Sequence, residues 1–159
     1  MRFEKVSFQE AAEATYKAVG WVNEGNLRCA LENLSLPQRA TAKSAGYDFY
    51  CPYDVVIKKG QSKAIPLLIK VVGMPRNVAL FIFNRSGLSL RKGLRLDNSV
   101  GVIDGDYDQC IWFQATAETE DVIITQGDRI CQGIFLNYLT VEEDRATAKR
   151  DGGFGSTGK

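Results

Sequence analysis

Hydrophobic residues follow two different periods along the chain, and the period changes near residue 40. Over residues 8–19 they recur at spacings of three and four, which is typical of an amphipathic helix. Ser7 and Glu10 stand at the spacing of a capping box before this run, and Gly20 follows it as a C-terminal cap. The pattern predicts a helix over residues 8–19, preceded by a short strand over residues 2–6.

The second period is that of β-strands. Residues 21–36 still leave open either a second short helix or an irregular cover. From residue 41 onward, short runs rich in β-branched and aromatic residues alternate with glycine-containing turns, which is typical of a β-sandwich, jelly roll or barrel. The predicted strands cover residues 47–51, 55–57, 64–72, 78–84, 94–96, 111–115, 122–125 and 130–139.

The stretch from Asn98 to Tyr107 carries the most candidate chemistry. An apolar run leads into Asp104, Gly105 and Asp106, which predicts a strand, a tight turn in which Gly105 can take a positive φ, and a second strand. Two carboxylates this close repel each other unless a cation, a donor or water intervenes. A surface Asp-Gly hairpin explains this segment alone equally well.

Composition narrows the function classes. The chain has 159 residues, with 20 basic and 19 acidic side chains and a net charge of +1. This length predicts one domain, and the near-neutral charge argues against a dedicated nucleic-acid-binding protein, so any phosphate site must be local. The absence of histidine excludes Ser-His-Asp and Cys-His catalysis and most zinc chemistry.

The cysteines and the N-terminus bear on location. Cys29, Cys51, Cys110 and Cys131 are widely spaced in apolar surroundings, so we expect them to be reduced and buried in a cytosolic protein. The N-terminus lacks the apolar run of a signal peptide, and no stretch is long enough to span a membrane. We therefore expect a cytoplasmic protein with no membrane partner.

Two further segments suit anions. Arg85, Ser86 and Gly87 follow a predicted strand and combine a guanidinium, a hydroxyl and turn N–H groups, although an ordinary polar turn has the same composition. Residues 149–159 are rich in glycine and contain Arg150, which can clamp a terminal phosphate, and Phe154, which can stack on a base. We predict that this tail is mobile without a ligand; a disordered tail without function is the alternative.

Taken in order, five segments resemble the five sequence motifs of the homotrimeric dUTP pyrophosphatases (dUTPases). Residues 91–94 and 98–100 are similar to the branch found in Gram-positive bacteria and their phages. Each motif alone is weakly specific, but five in register carry the resemblance from about residue 40 to the C-terminus. The segments are residues 45–48, 85–88, 101–107, 127–132 and 150–158.

The resemblance implies a fold and an activity. The fold is a jelly-roll-like β domain over residues 1–148, with a helical insertion at residues 7–36 and a flexible C-terminal lid over residues 149–159. The activity is Mg²⁺-dependent hydrolysis of dUTP to dUMP and pyrophosphate, which keeps uracil out of DNA and supplies dUMP for dTMP synthesis. The subunits of a homotrimer would share three active sites, and no direct nucleic-acid binding is expected.

The resemblance also assigns roles to residues of the acidic segment. Asp104 would deprotonate the water that attacks the α-phosphorus, and a carboxylate is a plausible base for this step. Tyr107 would pack against the deoxyribose and exclude a 2′-OH. The uracil edge would be recognised by Asn98 with the backbone of Gly101, Val102 and Ile103.

The phosphate chain and the metal would be held elsewhere. Asp48 would approach Mg²⁺ through water, because Mg²⁺ tends to keep its waters and to bind substrate phosphates directly. Arg85, Ser86, Gly87 and Gln132 would hold the phosphates.

The tail would complete the site. Arg150 would clamp the γ-phosphate, Phe154 would cover the uracil, and Gly155 and Ser156 would contact the substrate. Many family members have the arginine one position earlier, where this chain has Lys149. We favour Arg150 because a guanidinium forms two parallel hydrogen bonds with a phosphate.

Two rival functions remain to be compared. The related dCTP deaminases need a glutamate where this chain has Gln114, so deamination is not expected. A phage-encoded regulator that binds a repressor protein under nucleotide control is the alternative from another class. The complete set of reactive residues favours the hydrolase.

Asp108 departs from the family pattern, and we expect it to face solvent.

Overall fold

The structure is a computed structural model that describes residues 1–148 and Arg150. Strands dominate this part of the chain after residue 46. The helices are α1 (Phe8–Val19), α2 (Glu24–Asn33) and α3 (Ser86–Lys92). The strands are β1 (Arg2–Lys5), β2 (Tyr47–Tyr50), β3 (Val55–Ile57), β4 (Ser62–Pro66), β5 (Ile69–Val72), β6 (Val78–Asn84), β7 (Leu94–Leu96), β8 (Gly101–Ile103), β9 (Trp112–Ala117), β10 (Val122–Ile124) and β11 (Arg129–Asn137).

The described strands pair in antiparallel fashion within small sheets. The largest sheet has the order β2-β11-β6-β8, and a second has the order β4-β9-β7. The pairs β1-β5 and β10-β3 complete the arrangement. This mainly β architecture confirms the predicted fold class, and its short strands with turns between them follow from the alternation of β-branched runs and glycine turns.

The core lies between these sheets and is closely packed around Gly133 of β11. A Cβ at Gly133 would lie 2.8 Å from both Leu80 Cδ1 and Phe49 Cε2. Leu80 and Phe49 are themselves fully buried, on the strands that flank β11. Glycine at this position therefore lets β2, β6 and β11 hold the register that the site depends on.

The helical insertion forms as its sequence predicts. The Ser7 hydroxyl accepts from the Glu10 N–H at 3.2 Å, and the Glu10 carboxylate accepts from the Ser7 N–H at 2.9 Å, which completes the capping box. Gly20 ends α1 in the left-handed region with φ 79°. The second helix, α2, settles the alternative left open for residues 21–36, and Asn23 caps it through its side chain.

One predicted strand is wrong in its bounds. The apolar run at residues 64–72 is not continuous, because the chain turns at Leu67 and Leu68, where Leu68 takes φ 55°. The first half, β4, pairs with β9, and the second half, β5, pairs with β1. Both halves are buried, so the hydrophobic pattern alone cannot show that the run changes partners.

The cysteines correct a second expectation. Cys51, Cys110 and Cys131 are buried and free, but Cys29 is exposed on α2, where Asn33 Nδ2 lies 3.2 Å from its Sγ. Burial raises the pKa of Cys51 and of Cys110 to about 12 and holds that of Cys131 well above its ordinary value. The buried residues of α2 are Leu27 and Ala30. Among the described residues no helix is long and apolar enough to cross a membrane.

Candidate active site

Two arginines share one buried carboxylate at the ends of three neighbouring strands. Asp48 of β2 is 8% exposed, and its Oδ1 forms an ion pair with Arg85 Nε at 3.0 Å. Its Oδ2 accepts from Arg129 Nη1 at 3.1 Å. Arg85 Nη1 also donates to the Arg129 carbonyl at 3.1 Å. The two guanidiniums compensate the buried charge, and Asp48 in turn fixes their positions.

Gln132 lies beside these arginines because β11 separates β2 from β6. Its Nε2 donates to the Asn84 carbonyl at 3.1 Å. Its Oε1 faces Gly46, where a Cβ would approach to 2.7 Å, so a side chain at that position would displace the glutamine. Residues 46, 48, 85 and 132 come from three separate motifs of the sequence, and the structure brings them together.

This group, which we call the phosphate cradle, surrounds a cavity of about 350 Å³. A cavity of this size suits a small ligand, and its guanidiniums and hydroxyl suit an anion. Arg129 has no role predicted from the sequence, although it stands in the fourth motif directly before the buried residue Ile130. The lining includes Ser44, Gly46, Asp48, Arg85, Ser86, Arg129 and Gln132.

The segment after Arg85 is a helix and not only a turn. Arg85 caps α3 without a side-chain hydrogen bond, and Ser86 and Gly87 are exposed in its first turn. The first N–H groups of a helix point away from its body, so this helix start keeps the donors that the turn was expected to supply. Gly93 ends α3 in the left-handed region.

The acidic segment differs from the predicted hairpin. β8 pairs with β6 up to Ile103, and a turn follows in which the Tyr107 N–H donates to the Asp104 carbonyl at 3.1 Å. No second strand follows directly, since β9 begins at Trp112. The positive φ in this segment belongs to Ser99, at 60°, and not to Gly105.

The burial of Tyr107 accounts for the absence of a second strand directly after this turn. The side chain is 7% exposed, and its hydroxyl donates to the Cys110 carbonyl at 2.7 Å. Anchoring this ring in the core pulls the chain inward after the turn. Burial raises the pKa of Tyr107 to about 12, so the phenol stays protonated at neutral pH.

The two aspartates of the turn share one guanidinium. Arg150 Nε donates to Asp106 Oδ1 at 3.0 Å, and Arg150 Nη2 contacts Asp104 Oδ2. The guanidinium carbon lies 5.6 Å from the centre of the Tyr107 ring. The hydrogen bond to Asp106 is the main cause that raises the pKa of Arg150. The repulsion expected between the carboxylates is thus relieved by a donor, here supplied by the start of the tail.

A second cavity, of about 260 Å³, is lined in part by Gly101 at the start of β8, and we call it the base cavity. It shares no lining residue with the phosphate cradle. Val102 points outward and is 54% exposed, while Ile103 is half-buried. Asp108 is exposed, as expected. The base cavity is lined by Ala64, Ile82, Leu96, Asp97, Asn98, Gly101, Trp112 and Gln114.

Part of the expected site lies outside the described residues. This applies to Phe154, Gly155 and Ser156, and to Lys149, the alternative clamp. The substrate-binding roles of these residues stay predictions. The predicted role of Asp48 near a metal is constrained, because both of its carboxylate oxygens are already paired with arginines.

The Asp48 pair gives a test of the phosphate cradle. Asp48→Asn is expected to lower the free energy of unfolding by about 1–3 kcal/mol, because an amide leaves two guanidiniums in a partly buried site without their counter-charge. Thermal denaturation of both proteins measures the difference. The matched control is Asp121→Asn, which breaks the exposed ion pair with Lys58 at 2.7 Å and is expected to leave the unfolding transition almost unchanged. Equal losses in the two variants would contradict the buried role of Asp48.

Comparison with known proteins supplies the family context. A family model described as dUTPase matches residues 32–158. The deoxyuridine 5′-triphosphate nucleotidohydrolase of Lactococcus lactis is 39% identical over 134 residues, covering 79% of this chain and 89% of that protein. The same-named protein of Desulfitobacterium hafniense is 39% identical over 132 residues, covering 77% of this chain and 87% of that protein.

Solved structures agree with the fold. The dUTPase of Streptococcus mutans matches with a TM-score of 0.65 and 30% identity, covering 89% of this chain and 99% of that one. The dUTPase from phage phi11 of S. aureus matches with a TM-score of 0.65 and 19% identity over 76% of this chain and 94% of that one, a likeness that concerns the fold alone.

Proposed function

Since the chain belongs to the dUTPase family, we propose that it hydrolyses dUTP to dUMP and pyrophosphate in the cytoplasm. The reaction keeps uracil out of DNA and supplies dUMP for dTMP synthesis. The observation that carries the proposal is the phosphate cradle, in which Arg85, Arg129 and Gln132 converge on one cavity around Asp48. The turn that follows β8 supplies the carboxylate of Asp104, which the hydrolysis needs as a base for the attacking water.

The phosphate cradle binds the triphosphate. Arg85 is held by Asp48 and by the Arg129 carbonyl, so its guanidinium meets the phosphates in a fixed orientation. The hydroxyl of Ser86 and the N–H groups at the start of α3, including that of Gly87, add donors. Gln132 donates from β11, where the Asn84 carbonyl fixes its amide.

Asp104 acts as the general base. Its carboxylate accepts a proton from a water molecule, whose oxygen forms the new bond to the α-phosphorus. The bond from this phosphorus to the bridging oxygen breaks, and pyrophosphate leaves with that electron pair. Arg150 holds the Asp104 carboxylate of its own subunit in the structure, and it releases this carboxylate when it moves to the γ-phosphate in another subunit's site.

Tyr107 and Asn98 select the nucleoside. The buried Tyr107 ring is fixed by its bond to the Cys110 carbonyl and forms a rigid wall for the deoxyribose, which leaves no room for a 2′-OH. Asn98 lies in the base cavity with Gly101, whose lack of a side chain keeps the backbone accessible to uracil. The backbone of Val102 and Ile103 continues this edge.

Magnesium fits this site as an ion bound to the triphosphate of the substrate. When bound, Mg²⁺ reduces the charge of the triphosphate and so favours attack by water. In residues 1–148 and 150, no three acidic or cysteine side chains gather into a cation site. Asp48 already holds two guanidiniums, so its carboxylate would contact a substrate-bound Mg²⁺ through water rather than directly.

We propose further that the active sites are shared in a homotrimer. The phosphate cradle and the base cavity have no residue in common, which supports a site assembled from two subunits. The lid over residues 149–159, with Phe154 over the uracil and Gly155 and Ser156 against the substrate, comes from a third. The other proposed site residues lie in one β domain over residues 1–148.

A pyrophosphate-release assay tests the function. With Mg²⁺ present, dUTP is expected to be hydrolysed with a kcat/KM at least about 100-fold above that for UTP, dTTP or dCTP. UTP adds a 2′-OH, dTTP adds a methyl group to the base, and dCTP has an amino group in place of a carbonyl of uracil. Release of ammonia from dCTP would indicate a deaminase. Binding of dUTP without turnover would contradict the hydrolase assignment.

The rival functions are not favoured. Gln114 stands on β9, and its amide donates to Asp97, so it cannot shuttle a proton as a deaminase glutamate would. A regulator that binds a repressor protein remains an alternative only for a chain without turnover. The named relatives at 39% identity are nucleotidohydrolases, and this chain retains the expected reactive residues at its described positions.

A further inference from the structure

A chain of hydrogen bonds crosses three strands behind the turn that carries Asn98. Asp97 follows β7, and its carboxylate accepts from Gln114 Nε2 at 3.0 Å and from Thr116 Oγ1 at 2.5 Å. Thr116 Oγ1 also lies 2.6 Å from Ser62 Oγ. Because the single hydroxyl proton of Thr116 is donated to Asp97, the Ser62 hydroxyl donates to Thr116. The hydrogen bonds therefore all run in one direction, from Ser62 through Thr116 to the Asp97 carboxylate, which accepts the last one.

This carboxylate is held in its charged form. Burial alone would raise the pKa of Asp97, but the hydrogen bonds from Thr116 and Gln114 outweigh it and keep that pKa below its ordinary value. Charge-assisted hydrogen bonds of this kind are stronger than neutral ones. At neutral pH Asp97 is therefore ionised and keeps its hydrogen bonds to Thr116 and Gln114.

The turn attached to it has an unusual backbone. The Asp97 N–H donates to the Gln114 carbonyl at 3.0 Å, and the Ser99 N–H donates to the Leu96 carbonyl at 3.1 Å. Ser99 takes φ 60°. A residue with a side chain in the left-handed region is strained and persists only where its surroundings fix it. The bonds at Asp97 fix the start of this turn.

The turn leads directly into the base cavity. Asn98, Asp97 and Gln114 all line it, and Asn98 Nδ2 lies 3.8 Å from the position of a Cβ on Gly101. Asn98 itself is exposed and directly follows Asp97 in the chain. A shift of Asp97 therefore moves Asn98 relative to Gly101.

We propose that Asp97 is a positioning residue for uracil recognition. Held by Gln114 and Thr116, it fixes the turn at which Asn98 and the Gly101 backbone meet the base. Asp97 acts through Asn98, so it governs the affinity for the base and leaves the phosphate cradle unchanged. This inference rests on the proposed function, because it specifies how that site selects its nucleotide.

The test uses Asp97→Asn in the full chain. The amide retains the size of the carboxylate but removes its charge and one acceptor. We expect the KM for dUTP and the inhibition constant for dUMP to rise about tenfold, which corresponds to the loss of one charge-assisted hydrogen bond. The kcat for dUTP and the inhibition constant for inorganic tripolyphosphate are expected to stay within about twofold of wild type, since the phosphate cradle lies on other strands.

Two further variants make the result specific. Thr116 does not line the base cavity, and Thr116→Val removes one hydrogen-bond donor to Asp97. This variant is expected to raise the KM for dUTP and the inhibition constant for dUMP by about threefold. It provides the test if Asp97→Asn does not fold. Asp121→Asn, an exposed aspartate paired with Lys58, is the control and is expected to leave all constants unchanged.

The outcomes separate this inference from the proposed function. An unchanged KM and dUMP affinity in a folded Asp97 or Thr116 variant contradicts the inference alone. Equal weakening of dUMP and tripolyphosphate also contradicts it, since that result indicates a general structural loss. A wild-type protein that binds dUMP but does not hydrolyse dUTP contradicts the proposed function instead.

Discussion

Asp104→Asn is expected to lower the kcat for dUTP by about 10³-fold, within the range that general-base catalysis contributes. The amide keeps the size of the side chain and can still hydrogen-bond a water molecule, but it cannot accept the proton. The Kd for dUTP is expected to change by less than about threefold, because Asp104 is not part of the phosphate cradle. Pyrophosphate release measures kcat, and calorimetric titration of the inactive variant measures Kd.

The chain offers a matched control two residues away. Asp106 belongs to the same turn, is exposed to a similar degree, and accepts from the same guanidinium of Arg150. Asp106→Asn therefore disturbs Arg150 as Asp104→Asn does, but it leaves the base in place. A loss below about tenfold is expected for Asp106→Asn. Near-normal turnover of Asp104→Asn, or equal losses in both variants, would show that the base is assigned wrongly.

Removal of the lid, residues 149–159, is expected to lower kcat by about 100-fold or more. Closing a site excludes water and positions the phosphates, and small errors of position are costly. The thermal unfolding transition should stay within a few degrees of wild type, because the buried core lies within residues 1–148. Arg150→Ala and Lys149→Ala then identify the clamp, and the larger loss is expected for Arg150. Full activity of the truncated chain would contradict the proposed role of the lid.

Mixed assemblies test whether the lid comes from another subunit. Truncated subunits keep Asp104, and Asp104→Asn subunits keep the lid, so each alone forms deficient sites. Co-expressed subunits are expected to recover a part of wild-type turnover, because some sites combine an intact Asp104 with an intact lid. Sedimentation of the mixture should give about three subunits per particle. No recovery in such mixed trimers would indicate that each lid closes over its own subunit.

Local patterns in the sequence predicted much of the fold. The capping box at Ser7 and Glu10 and the glycine at residue 20 gave the bounds of α1, because these signals act within a single turn of helix. Strand positions such as β3 and β7 also followed from local alternation. The break at Leu67 and Leu68 could not be predicted in this way, since it depends on which distant strands, β1 and β9, pair with each half.

The site shows the same division between local and long-range information. Arg85 and Gln132 could be proposed because each belongs to a recognisable motif. The role of Arg129 was missed, because its meeting with Asp48 depends on the register of β11 between β2 and β6. The course of residues 104–107 depended on the burial of Tyr107, a tertiary effect that an Asp-Gly turn signal does not contain.

The exposure of Cys29 has a practical consequence for labelling. Thiol-directed reagents react with the thiolate, and burial suppresses this form in Cys51, Cys110 and Cys131 by raising the pKa of each. A maleimide dye at neutral pH is therefore directed to one position on α2 of the native protein, without any engineered cysteine. That position lies on the helical insertion and lines neither the phosphate cradle nor the base cavity. A fluorophore there can follow the insertion while the enzyme turns over.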